Sequence, residues 1–311
     1  MKHPIRILAF AVTATILYMG CGNDAPVART TAPRVQVSIP ADFGPNALAR
    51  VRGLCELGPR DALTPGAEAA AMWIASELSA IGLKPDTDTF DDPAPDGTSR
   101  LFRNVSATAP GTGKGQVLLL SHYDTKAGIS NSFIGANDGG SSTGLLLELA
   151  AYFVCNPPTP SVTFAFLDGE ECRRAYSDTD GLHGSRHLAR KMHEAGQRAD
   201  AVILLDMVGD RDLRLTLPRN GAARLKTAIL DAAAAQGVRS KVGLLSYDMV
   251  DDHQPFLDAG FPAIDIIDFE YGSAPGLRDY WHTAADTVDK LSADSLQVTS
   301  AIVIQLISDL R

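Results

Sequence analysis

The segment Gln116-Val-Leu-Leu-Leu-Ser-His-Tyr-Asp124 decides how the rest of the chain is read. Its four consecutive apolar residues, Val117 to Leu120, leave no polar face, as expected of a strand covered on both sides by helices. His122 and Asp124 follow the run directly, at the carboxyl end of the strand, where open α/β sheets bind their ligands. Working outward, strands are read at residues 101–107, 161–167, 201–208, 213–217 and 263–267, and the run Val202-Ile-Leu-Leu205 is again unbroken. Helical periodicity falls between them at residues 142–153, 184–195, 222–235 and 292–310. Two earlier helices, 47–57 and 65–81, stop at Gly58 and Gly82. This alternation predicts an α/β fold, a three-layer α/β/α sandwich with a central mixed, mainly parallel sheet. Residues 269–280 form the one long loop late in the chain, and the aspartate-rich residues 86–92 read as a solvated loop or an edge strand.

Composition narrows the function classes. The 311 residues are 45% hydrophobic and 21% charged, which is ordinary for a folded domain and too apolar for a disordered chain. A net charge of −9 without a basic stripe speaks against nucleic acid as a partner. At the start, Lys2 and Arg6 precede an apolar run over residues 7–19, shorter than the roughly 20 residues of a membrane span. Residues 1–20 are therefore expected to be a signal peptide, residues 21–40 a tether rich in small residues and proline, and residues 41–311 the folded domain. Leu17-Tyr-Met-Gly-Cys21 resembles the bacterial lipobox, which implies a lipid on Cys21 and anchorage in the cell envelope; a plain secretory signal and a periplasmic protein is the other reading. The remaining cysteines, Cys55, Cys155 and Cys172, allow at most one disulfide, and three buried thiols are equally compatible with the sequence.

Acids and histidines recur directly after the strands. Asp168, Glu170 and Glu171 follow residues 161–167, Asp206 ends the run from Val202, Asp138 precedes the helix at 142, and His282 follows the late loop. Any one of these could be a helix cap or a satisfied acceptor. Together on one sheet edge they would repel one another without a cation, and imidazoles with carboxylates are a ligand set that zinc favours.

The segments Ser121-His-Tyr-Asp-Thr-Lys126, Gly135-Ala-Asn-Asp-Gly-Gly140, Asp168-Gly-Glu-Glu171, Leu205-Asp-Met-Val-Gly209 and Trp281-His-Thr-Ala-Ala-Asp-Thr287 resemble, in order and spacing, the M28 zinc aminopeptidase superfamily. The run from Asp168 through Gly184-Ser-Arg-His187, together with Asp251-Asp-His-Gln-Pro-Phe256, is more specifically similar to the animal-type glutaminyl-peptide cyclotransferases. That resemblance makes residues 41–311 a zinc-dependent catalytic domain acting on peptide or protein N-termini. It implies Asp138, Glu171 and His282 as zinc ligands and Glu170 as general acid and base. Asp206 and Asp251 would form hydrogen bonds near the catalytic glutamate, and Trp281 and Tyr176 would line the substrate pocket. In two-metal relatives Asp138 would bridge, with His122 and Asp206 completing a second site, so one or two zinc ions remain open. Two positions depart from the animal cyclases: Asp265 stands where they carry histidine, and Tyr176 where they carry tryptophan.

Cyclisation of N-terminal glutamine to pyroglutamate with loss of ammonia is the expected reaction, and hydrolysis of N-terminal residues by a zinc aminopeptidase is the alternative. Further readings are a serine hydrolase using Ser142 in Gly140-Ser-Ser-Thr-Gly144, which would need a strand immediately before it, and a binding protein that has lost catalysis. His183 and His187 have metal-pair spacing but lack the H-E-x-x-H glutamate and read as solvent-facing or capping residues. Cys172 beside Glu171 reads as a buried apolar side chain.

Overall fold

The computed structural model describes residues 36–310. The expected signal peptide, Cys21 and the first part of the tether lie outside the described residues. In chain order the elements are α1 (Phe43–Cys55), α2 (Pro65–Ala80), β1 (Asp86–Pro93), β2 (Ser99–Ala109), β3 (Gln116–His122), α3 (Gly140–Cys155), β4 (Ser161–Leu167), α4 (His183–Glu194), β5 (Ala201–Asp206), β6 (Leu215–Leu217), α5 (Ala223–Ala235), β7 (Val242–Leu244), α6 (Gln254–Asp258), β8 (Ala263–Ile267) and α7 (Ala293–Asp309). The sheet runs β1-β2-β4-β3-β5-β8-β6-β7. Its central strands β4, β3, β5 and β8 are mutually parallel, while β1–β2, β2–β4 and β6–β8 are antiparallel.

The period of two along each strand sorts the core into layers. Val117, Leu119, Phe164, Phe166, Ile203 and Ile264 face one side, packed with α1, α2, α3, α5 and α7. Leu118, Leu120, Ala165, Val202 and Leu204 face the other, against Ala189 and Met192 of α4 and Phe256 of α6. Both faces are covered, which is why the runs after Gln116 and Ala201 carry no polar alternation. The parallel register sets His122 beside Leu167 and Leu204 beside Leu120, so the carboxyl ends of β3, β4 and β5 lie on one edge.

Helix ends follow local chemistry. α2 begins at Pro65, with the Thr64 hydroxyl accepting from the Ala67 amide and Glu68 in the first turn, and α7 begins where the Ser292 hydroxyl accepts from the Asp294 amide. The strand expected over 201–208 stops at Asp206 because Met207 adopts φ 46°, outside strand geometry. Of the two readings of residues 86–92, the edge strand holds: β1 pairs with β2, and its Asp88 meets Lys191 and His187, charges suited to an exposed edge. Strand β7 and helix α6 have three and five residues, too short for periodicity to reveal.

Three expectations are corrected. His183 is buried, its ring stacked on Phe102 and its Nδ1 2.7 Å from Asp92 Oδ2, while His187 stacks on Phe90 and reaches Asp88; neither is solvent-facing. Cys155 is exposed, so the thiols are not all buried, and Cys55, Cys155 and Cys172 are all unbridged. Ser142 is fully buried on the first turn of α3, preceded by a turn instead of a strand, and its hydroxyl meets Ser121 and Gly139, which removes the serine-hydrolase reading. Residues at the end of the expected tether touch the domain, the Val37 amide donating to Gln305 and its carbonyl accepting from Gln236. No helix among the described residues is long and apolar enough to cross a membrane.

Arg60, fully buried between α1 and α2, ties this layer to the site. Its guanidinium donates to the carbonyls of Tyr123 (2.8 Å), Ile134 (2.7 Å) and Gly135 (3.2 Å), bracketing the loops after β3 and before α3. Arg60→Met keeps the bulk and strands those carbonyls, at a cost of about 1–3 kcal/mol for each group left unpaired. Urea denaturation is expected to show a loss of at least about 3 kcal/mol on that basis; an unchanged midpoint would contradict the bracing role.

Candidate metal centre and catalytic pocket

His122 and Asp206 are the last residues of β3 and β5, and Asp138 sits two residues before α3. Gly139 between them has φ 76°, and a Cβ there would lie 2.9 Å from the His122 ring, so only glycine lets the loop pass this close. Glu170 and Glu171 follow β4 through Gly169, also at positive φ and pressed against Phe102. His282 comes from the long loop after β8 and holds φ 52°, a backbone state a non-glycine residue adopts only under constraint.

These side chains converge as two groups that share Asp138. Donor atoms of Asp138, Glu171 and His282 all lie within 4.8 Å of one another, as do those of His122, Asp138 and Asp206. His282 Nε2 is 3.1 Å from Glu171 Oε1 and 3.2 Å from Asp138 Oδ2, and His122 Nε2 is 3.2 Å from Asp138 Oδ1 and 3.3 Å from Asp206 Oδ1. One ring nitrogen carries at most one proton and cannot serve two carboxylates. The hydrogen bonds go to Glu171 and Asp206, leaving Asp138 Oδ2 a buried oxygen with no hydrogen-bond partner, while Glu171 Oε2 also has none and meets only the Lys126 ammonium as an ion pair. Such orphans in a carboxylate–imidazole cluster fit a cation.

The electrostatics agree. Burial disfavours charge on both imidazoles, yet the adjoining carboxylates of Asp138 and Glu171 lift His282 to about 10, and those of Asp124, Asp138 and Asp206 lift His122 well above its ordinary value. Asp138 falls below the carboxylate range because those imidazoles outweigh its burial. Burial and the neighbouring Glu171 push Glu170 well up, and burial with Asp138 raises Glu171. In the absence of a metal, protons on the histidines take over the neutralisation of the acids.

Glu170 belongs to neither group. It lines a cavity of about 260 Å3 with Asp138, Glu171, His282, Asp206 and Asp251, and its Oε1 accepts a 2.6 Å hydrogen bond from Tyr176. Trp281 closes one wall, stacked on the His282 ring at 4.2 Å and meeting Phe269 edge-on. Asp251 accepts from the Asp252 amide, and neither Asp206 nor Asp251 forms a hydrogen bond with Glu170 in this arrangement. Asp265 lies behind them, fully buried, with both oxygens unpaired. His122 is 1% exposed and does not line the cavity. Asp168 turns away and accepts from the Arg103 amide.

Asp286 and Lys126 carry no legible sequence signal as site residues, and Asp124, placed at the strand end by sequence, carries none for its role. Asp124 accepts from the consecutive amides of Glu170 and Glu171 (3.1 and 3.2 Å), and Asp286 from those of Asn137 and Asp138 (2.8 and 3.1 Å) while also taking the Tyr271 hydroxyl. Lys126 Nζ lies 3.3 Å from Glu171 Oε2. All three stand inside the quoted motifs, but only their contacts reveal what they do.

The model of peptidase family M28 matches residues 104–307. The glutaminyl-peptide cyclotransferase of Bos taurus is 30% identical over 281 residues, 77% of this chain and 75% of its own length. The crystal structure of an Acidobacteriales bacterium glutaminyl cyclase superposes with a TM-score of 0.80 at 35% identity, covering 88% of this chain and 96% of that one. A leucine aminopeptidase precursor from Bacteroides thetaiotaomicron reaches a TM-score of 0.76 at 27% identity over 88% of this chain and 100% of its own. With the family's segments assembled around a cation-ready cluster and matched over most of the domain, the chain belongs to peptidase family M28 and is a homologue of its glutaminyl cyclases.

Proposed function

We propose that the protein converts N-terminal glutaminyl residues of peptides and proteins to pyroglutamyl residues with release of ammonia, using zinc held by Asp138, Glu171 and His282. The carrying observation is Glu170, a buried carboxylate in the same cavity as those ligands but outside both ligand groups. The bovine and acidobacterial relatives are glutaminyl cyclases by name, which supports the same reaction.

A zinc ion bound there supplies Lewis-acid polarisation of the side-chain amide carbonyl. Glu170, with Oε1 fixed by the Tyr176 hydroxyl, presents its second oxygen to the substrate's α-amine and takes its proton as that nitrogen bonds to the side-chain amide carbon. The same carboxyl then returns the proton to the amide nitrogen as the old C–N bond breaks and ammonia leaves. Ring closure joins two groups of one residue, so positioning by Trp281 and Tyr176 supplies much of the advantage. Asp206 and Asp251 are assigned to hydrogen bonding beside Glu170.

The aminopeptidase reading is favoured by one observation, the second group formed by His122, Asp138 and Asp206, which offers donors for a second ion. Export through residues 1–20, a lipid on Cys21 and a tether over 21–40 leading to a catalytic domain at 41–311 are proposed on the sequence alone.

Two measurements test the site. Glu170→Gln is expected to keep stoichiometric zinc and lose about 10²–10⁴-fold in turnover, whereas Glu171→Gln loses metal first by elemental analysis; equal metal loss in both refutes the division of labour. Zinc-loaded enzyme given Gln-Ala and Leu-Ala is expected to release ammonia from the first, leave its peptide bond intact by mass, and spare the second. Free leucine without pyroglutamate would establish the aminopeptidase instead.

A further inference from the structure

Beside the catalytic cavity lies a second, open one of about 510 Å3, and Tyr176 and Val250 line both. The catalytic cavity, at about 260 Å3, is smaller than the roughly 300–1,000 Å3 usual for a ligand pocket. A peptide whose first residue fills it must leave across its rim, and the rim toward the second cavity is apolar. Tyr176 and Val250, which line both cavities, are 40% and 54% exposed there, large hydrophobic side chains at the shared mouth. Beyond them the floor is apolar, built from Leu182 and Ala189 under Pro255 of α6. Charges at its edge balance, Arg186 and Arg190 against Asp178 and Asp258, which suits a neutral peptide chain better than an ionic ligand. The wall is preformed. Arg186 donates to the Ser177 carbonyl (2.7 Å) and to Asp92 (3.3 Å), and the Tyr176 hydroxyl is held on Glu170.

We propose that this groove is the subsite for the residues following the N-terminal glutamine, seating an apolar side chain of the second to fourth residue against Leu182, Val250 and Pro255. It rests on the reading of the catalytic pocket given above and adds to it a preference for longer, apolar substrates. Tyr176 is then the partition, one edge fixing Glu170 and the other supporting the departing chain.

The test compares Gln-Ala-amide, too short to fill the groove, with Gln-Ala-Leu-Ala-amide on the zinc-loaded full-length enzyme. The tetrapeptide is expected to have a kcat/KM about tenfold higher, the scale of one partly buried leucine. Ala259→Trp, which fills the far end of the groove, is expected to abolish that gain while dipeptide turnover stays within twofold, and Asp258→Trp, on the exposed rim, provides a second obstruction if the first disturbs folding. Equal kcat/KM for the two peptides in the unsubstituted enzyme overturns the proposal. So does a gain that survives in both variants, or a loss of dipeptide turnover along with tetrapeptide turnover in both. Product masses are read in the same reactions. Release of the free first residue in place of pyroglutamate would overturn cyclisation and leave the length comparison standing as the test of the groove.

Discussion

Asp138 cannot be satisfied by the protein alone, and the rest of the site is arranged around that fact. Its two oxygens face two imidazoles, each of which gives its hydrogen bond to a different acid. Buried carboxylates packed this closely cost several kcal/mol per uncompensated charge, so the arrangement persists because a cation, or protons standing in for one, neutralises it. The neighbouring loops are held accordingly. Asp124 grips the two amides of the glutamate pair and Asp286 the two amides leading into Asp138, so each ligand-bearing loop is fixed through its backbone while its side chains stay free for the ion.

The same geometry explains how adjacent glutamates come to differ. A carboxylate bridging both backbone amides fixes the turn after Gly169, and the two side chains then depart in different directions, Glu171 toward His282 and Glu170 toward Tyr176. Tyr176 stands where the resemblance implies tryptophan in the animal cyclases, and its phenol donates to the Glu170 carboxylate at 2.6 Å. Asp265, the other departure, is on β8, fully buried with both oxygens unpaired, and burial with the neighbouring Asp251 and Asp206 pushes its carboxyl well above the usual range.

Much of this was legible in the residues. Unbroken apolar runs at Val117 and Val202 marked the central strands because both faces of the sheet are covered, and the acids after them marked the reactive edge because parallel strands bring all carboxyl ends to one side. What escaped had no periodic signature. β7 and α6 are too short to repeat, and the strand at 201 stops early because of a single left-handed residue, Met207. His183 and His187 looked like surface histidines on a charged helix, yet pack face to face with Phe102 and Phe90 of neighbouring strands, a pairing that depends on tertiary contacts alone. Arg60 and Asp286 bond to backbone atoms 63 to 149 positions away, and main-chain partners leave no trace in side-chain identity.

The grip of Asp286 on Asn137 and Asp138 spans 149 and 148 positions of sequence. A nascent chain presents the β3, α3 and β4 portions long before His282 and Asp286 exist, so Asp138 and Glu171 spend most of synthesis without the histidine that joins them or the clamp that fixes their loop. The binding centre is thereby a late product of folding, closed by nearly the last loop before α7. A partially made chain has only scattered acids with little hold on a metal, and the protein becomes a chelator at the moment it becomes an enzyme.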